Sequence, residues 1–91
     1  MAEIPARHLG VPRSHSTAKK LGYKKAKVKF ADLSDELKAS FVKFADHGAR
    51  ANSVCGVGPS PDPRYWLVCY KDEAGKCNWV QVPRTEVQDH E

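Results

Sequence analysis

The stretch RYWLVCYKDEAGKCNWVQVP, residues 64–83, decides the fold. Tyr65 to Tyr70 is a run of aromatic, aliphatic and thiol side chains, the composition of a strand. Asp72-Glu73-Ala74-Gly75 supplies turn chemistry, because Gly75 takes a positive φ without steric cost. Cys77 to Val82 is the return strand, and Pro83, with no amide to donate, stops it. The segment therefore predicts a β-hairpin. Tyr65, Leu67 and Cys69 point to one side of its first strand, and Trp66, Val68 and Tyr70 to the other. Both faces are apolar. One covers a helix, and the other is left for a further layer or for a partner.

Upstream of the hairpin, Pro59, Pro61 and Pro63 recur at every second position and predict a stiff surface loop over residues 58–63. Ala51, Ser53, Cys55 and Val57 alternate with Asn52, Val54 and Gly56, which permits a short strand. Before that, Leu33, Leu37, Phe41 and Phe44 recur at helical spacing, with Val42 and Ala45 widening the stripe. Asp32 or Ser34 caps the start, Asp35 and Glu36 complement the dipole, and Gly48 follows His47 as a left-handed stop. This predicts a helix over residues 33–47.

Lys25, Lys27 and Lys29 alternate with Ala26, Val28 and Phe30, which predicts a strand from Lys24 to Phe30 with one lysine face. Such a face either discourages pairing with other chains or contacts phosphates. Residues 1–22 show neither period and read as a disordered arm, with a marginal helical turn near Thr17 to Leu21. Residues 84–91 read as a frayed polar tail. The resulting fold class is α+β. One helix packs on a small, mainly antiparallel sheet of three or four strands over residues 23–83, behind a basic flexible N-terminal arm. A folded part of about 65 residues is near the lower limit for a self-sufficient core.

Charge is divided along the chain. Residues 1–30 carry eight Lys/Arg against one Glu, a net +7, while residues 31–91 carry seven against ten acids, a net −3. A basic arm on a slightly acidic body predicts an anionic partner. The leading reading is nucleic acid, RNA or DNA, contacted by Arg7, Arg13, Lys19, Lys20, Lys24, Lys25, Lys27 and Lys29. Tyr65, Trp66, Tyr70 and Trp79 offer stacking surfaces for single strands. The alternative is an adaptor or inhibitor that docks on an acidic protein through Trp66, Val68, Tyr70 and Trp79.

Catalysis finds little support. Cys55 with His47 is the nearest pairing of a thiol with a base, and Gly56-Val57-Gly58 runs into Pro59 rather than into a helix start. The expectation is a binding protein that is not an enzyme and carries no cofactor. His47, Cys55, Cys69 and Cys77 make a Cys3His donor set, but structural zinc ligands come in pairs two to four residues apart, and none do here. The spacing therefore argues against a metal, leaving buried thiols. Three cysteines predict a reducing intracellular compartment, cytoplasmic or nuclear. The Arg-, Ser- and His-bearing N-terminus also fits a mitochondrial transit peptide. No apolar run approaches the roughly 20 residues that cross a bilayer, and no membrane partner is expected.

Overall fold

The hairpin forms where its residues place it. The computed structural model describes residues 6–44 and 50–84. The chain runs through a 3-10 turn (Ala6–Leu9), α1 (His15–Lys20), a second 3-10 turn (Phe30–Asp32) and α2 (Asp35–Ala39). It continues into β1 (Val42–Lys43), β2 (Ser53–Pro59), β3 (Tyr65–Lys71) and β4 (Cys77–Pro83). The four strands form one antiparallel sheet in the order β1-β2-β3-β4. The fold class is α+β. At the hairpin turn the Gly75 amide donates to Asp72 O at 2.9 Å, with Gly75 at φ 81°. The Asp72 carboxylate accepts from the amides of Ala74 and Lys76 at 3.0 and 2.8 Å. Among the described residues no helix is long and apolar enough to cross a membrane.

One face of the sheet presents Val54, Val57, Val68, Tyr70, Val80 and Val82, all buried. The N-terminal residues cover it, with Val11 and Ala18 completely enclosed. The Tyr70 hydroxyl donates to Pro12 O at 2.9 Å across this layer. Leu9, Val11, Ala18 and Tyr23 thus pack on the sheet, where a disordered arm was expected over residues 1–22; residues 1–5 lie outside the described residues. The physical reason is tertiary. A six-residue helix is unstable alone, but here its apolar side is buried and both ends are capped. The Ser14 hydroxyl accepts from the Thr17 amide at 3.2 Å. At the other end Gly22 (φ 85°) and Tyr23 donate to Lys19 O and Ala18 O, each at 3.0 Å. That paired arrangement is a Schellman cap, with Tyr23 packed on the same core as Ala18.

The other face carries Leu67, Cys69 and Trp79. Phe30, Phe41 and Trp79 form a ring cluster over it, with centroids 5.0 to 5.7 Å apart. Phe41 of this layer lies directly on Gly58 of β2. A Cβ built there would stand 2.5 Å from Cδ1 and Cδ2 of Phe41.

The helix expected over residues 33–47 is much shorter. Ser34 caps it by accepting from the Leu37 amide at 3.3 Å, and Ser40 ends it. The apolar stripe that suggested one long helix is divided between two layers. Phe41 joins the ring cluster, while Phe44 enters the core on the opposite face. Between them Val42 and Lys43 pair with Val57 and Gly56 as an edge strand. Ala45, His47 and Gly48 lie outside the described residues. The strand expected over Lys24 to Phe30 is reduced to a bridge between Lys25 and Val80. The Ala26 amide donates to Trp79 O at 2.7 Å and the Gln81 amide to Lys24 O at 3.2 Å, after which the chain bends at Lys27. The alternation survives as exposure: Lys25, Lys27 and Lys29 are open, and Ala26, Val28 and Phe30 are half-buried.

Candidate nucleic-acid interface and thiol cluster

The Schellman cap turns the chain out of α1 and lays Lys24 and Lys25 along the outer edge of β4. An open cleft of about 500 Å³ results, lined by Tyr23, Lys24, Lys25 and Lys27 on one side and by Arg64 and Tyr65 across from them. Asp62 and Gln81 complete its polar wall. Four cations and one carboxylate give the lining a net +3. The three lysines are exposed, and among the described residues none of them is held in an ion pair.

Arg64 is partly committed elsewhere. Its Nε and Nη2 donate to the two Asp62 carboxylate oxygens at 3.1 and 2.8 Å, and its amide donates to Oδ1 at 3.1 Å. These bonds, the guanidinium first, hold the Asp62 carboxyl down at about 2. The Arg64 guanidinium also lies 5.7 Å from the centre of the Tyr65 ring. Arg84 sits 4.1 Å over Trp66 and donates from Nε to Tyr65 O at 3.0 Å, which fixes the strand end behind the cleft.

The eight basic residues proposed from sequence separate into groups. Lys24, Lys25 and Lys27 converge on the cleft. Lys19 and Lys20 are exposed in the last turn of α1, next along the chain. Arg13 and Lys29 are exposed but do not line the cleft, and Arg7 lies in the first 3-10 turn. Tyr23, Arg64 and Gln81 were missed as site residues. Tyr23 precedes Lys24 directly, whereas Arg64 and Gln81 come beside the lysines through the pairing of Lys24–Ala26 with Trp79–Gln81, which no local sequence signal announces.

Of the four residues proposed for the alternative docking face, two are enclosed and two, Trp66 and Trp79, are half-buried. Val68 and Tyr70 are completely buried, Trp66 packs on the core and Trp79 lies in the ring cluster. Both faces of the hairpin carry packing from within the chain.

A second cluster lies at the end of the sheet. The register between β2 and β3 shifts at Cys55, so Cys55 and Gly56 both stand opposite Cys69. Cys77, two residues before the Trp79 that faces Cys69, is the diagonal neighbour on the same face. The three sulfurs lie within 4.8 Å of one another, with Cys55 Sγ 2.7 Å from Cys69 Sγ and 3.9 Å from Cys77 Sγ. Cys69 is buried, Cys55 half-buried and Cys77 exposed. The sulfur–sulfur contact with Cys69 lowers the Cys55 thiol to about 6, whereas the same contact, together with burial, pushes Cys69 up. Spacing had argued against a metal because no two ligands are close in sequence. Strand register does the gathering instead, bringing three of the four proposed donors together, while His47 lies outside the described residues.

Comparison with protein-family models, curated proteins and solved structures returned no match.

Proposed function

We propose that this protein binds nucleic acid through the lysine cleft, as a non-catalytic module. The observation that carries the reading is the convergence of Lys24, Lys25 and Lys27 with Tyr23 and Tyr65 around one open groove. Ammonium groups neutralise backbone phosphates, and each counterion released favours binding. Tyrosine rings beside them suit stacked, unpaired bases, which favours single-stranded RNA or DNA over duplex. Lys19 and Lys20, at the end of α1, extend the positive track beyond the groove. Relative to the sequence reading, the binding element is a rigid edge of the domain rather than a mobile arm.

Amide shift mapping tests this directly. Titration of the full chain with a short single-stranded oligonucleotide should move the amides of residues 22–27, 62–65 and 81. Saturable binding whose shifts fall elsewhere and spare these residues would overturn the assignment.

A further inference from the structure

We propose that Cys55, Cys69 and Cys77 form a zinc(II) site whose fourth position is open to solvent. Three strands each contribute one sulfur, and all three sulfurs converge on one point at the end of the sheet. A disulfide would use two of them and leave the third without a role. A tetrahedral cation uses all three.

The geometry is close to what zinc requires. Sulfurs each about 2.3 Å from a tetrahedral zinc lie about 3.8 Å apart. Cys55 and Cys77 are already 3.9 Å apart, and Cys55 and Cys69 open from 2.7 Å by about 1 Å as the cation enters between them. Cys69 anchors the site from the buried side. Cys77 is exposed, so the fourth position opens outward, where water completes the tetrahedron. The donor chemistry narrows the metal: an all-thiolate set takes soft and borderline cations, zinc among them, and excludes the hard cations that prefer oxygen.

Charge is also balanced. Three thiolates around a dication leave one surplus negative charge. Lys71 stands opposite Cys77 in the register and acts electrostatically on both Cys55 and Cys77, offsetting it. On binding, three zinc–sulfur bonds form and each S–H still protonated releases its proton to the buffer.

The test uses the full chain, fully reduced, titrated with cobalt(II) as a spectroscopic stand-in and then with zinc(II) against a chromophoric chelator. The expected result is a 1:1 complex with a sulfur-to-cobalt charge-transfer band that zinc displaces. Cys77→Ser, at an exposed position, should fold normally and weaken zinc binding at least tenfold. Cys55→Ser should do the same. Two results would overturn the site: no charge-transfer band from the reduced protein, or zinc affinity unchanged in Cys77→Ser.

Discussion

Val11→Ala asks whether the N-terminal residues belong to the core. Val11 is completely enclosed, and its neighbour Pro12 accepts the buried Tyr70 hydroxyl. The substitution removes two buried carbons. At about 0.8 kcal/mol each the transfer loss is about 1.6 kcal/mol, and a residual cavity brings the total to about 2 kcal/mol. In a domain of this size 1 kcal/mol shifts the midpoint by about 4–8 °C, so the expected fall in Tm is about 8–16 °C. Thermal unfolding followed by circular dichroism measures it, with urea unfolding as the check on two-state behaviour. A disordered arm would behave differently, since surface substitutions stay within about 0.5 kcal/mol. A Tm within about 4 °C of the parent would refute the packed layer and restore the mobile arm.

Three further outcomes follow from particular contacts. Tyr70→Phe leaves the buried Pro12 carbonyl without its donor and should destabilise by about 1–3 kcal/mol in urea unfolding; no change would mean the hydroxyl is not engaged there. Gly58→Ala drives a methyl into the Phe41 ring and should cost about 1–3 kcal/mol, with loss of the near-ultraviolet signal of the Phe30–Phe41–Trp79 cluster; a neutral effect would show that the ring does not lie on Gly58. The Asp62 carboxyl, held below its ordinary 3.8, should titrate near 2 by carboxyl NMR. Its charged pairing with Arg64 is fully present above pH 3.8 and disappears as pH falls through about 2. Arg64→Ala should return the midpoint toward 3.8, and a parent midpoint already there would contradict the pairing.

The parts of the fold legible in the sequence are those set by local chemistry. The hairpin is one, because a continuous aromatic and aliphatic run and a glycine at the turn specify it without help from elsewhere. The capping role of Ser34 is another. The parts that were not legible depend on which distant surfaces meet. Leu33, Leu37, Phe41 and Phe44 match a helical stripe, yet the last two serve opposite faces of the sheet. Val11 stands between Gly10 and Pro12, outside any helical or strand period, and nothing in the local pattern reveals that it seals a core. The charge of the basic segment was plain from sequence, but the cleft depends on Lys25 bridging to Val80, more than fifty residues away. The thiol cluster was hidden for a related reason. Metal-ligand spacing rules describe tight knuckles, whereas here adjacent strands and a register shift at Cys55 bring the donors together.

The most direct test of the cleft is the salt dependence of oligonucleotide affinity, compared between the parent chain and the triple variant Lys24→Ala, Lys25→Ala, Lys27→Ala. For single strands each neutralised phosphate contributes about −0.7 to the slope of log K against log salt. Three lysines therefore supply a slope of about −2, or about a 20-fold loss of affinity between 50 and 200 mM salt. The expected result is steep salt dependence in the parent and a slope shallower by about 2 in the triple variant, with thermal stability retained. Equal slopes in the two proteins, or no binding by the parent at 50 mM salt, would contradict it.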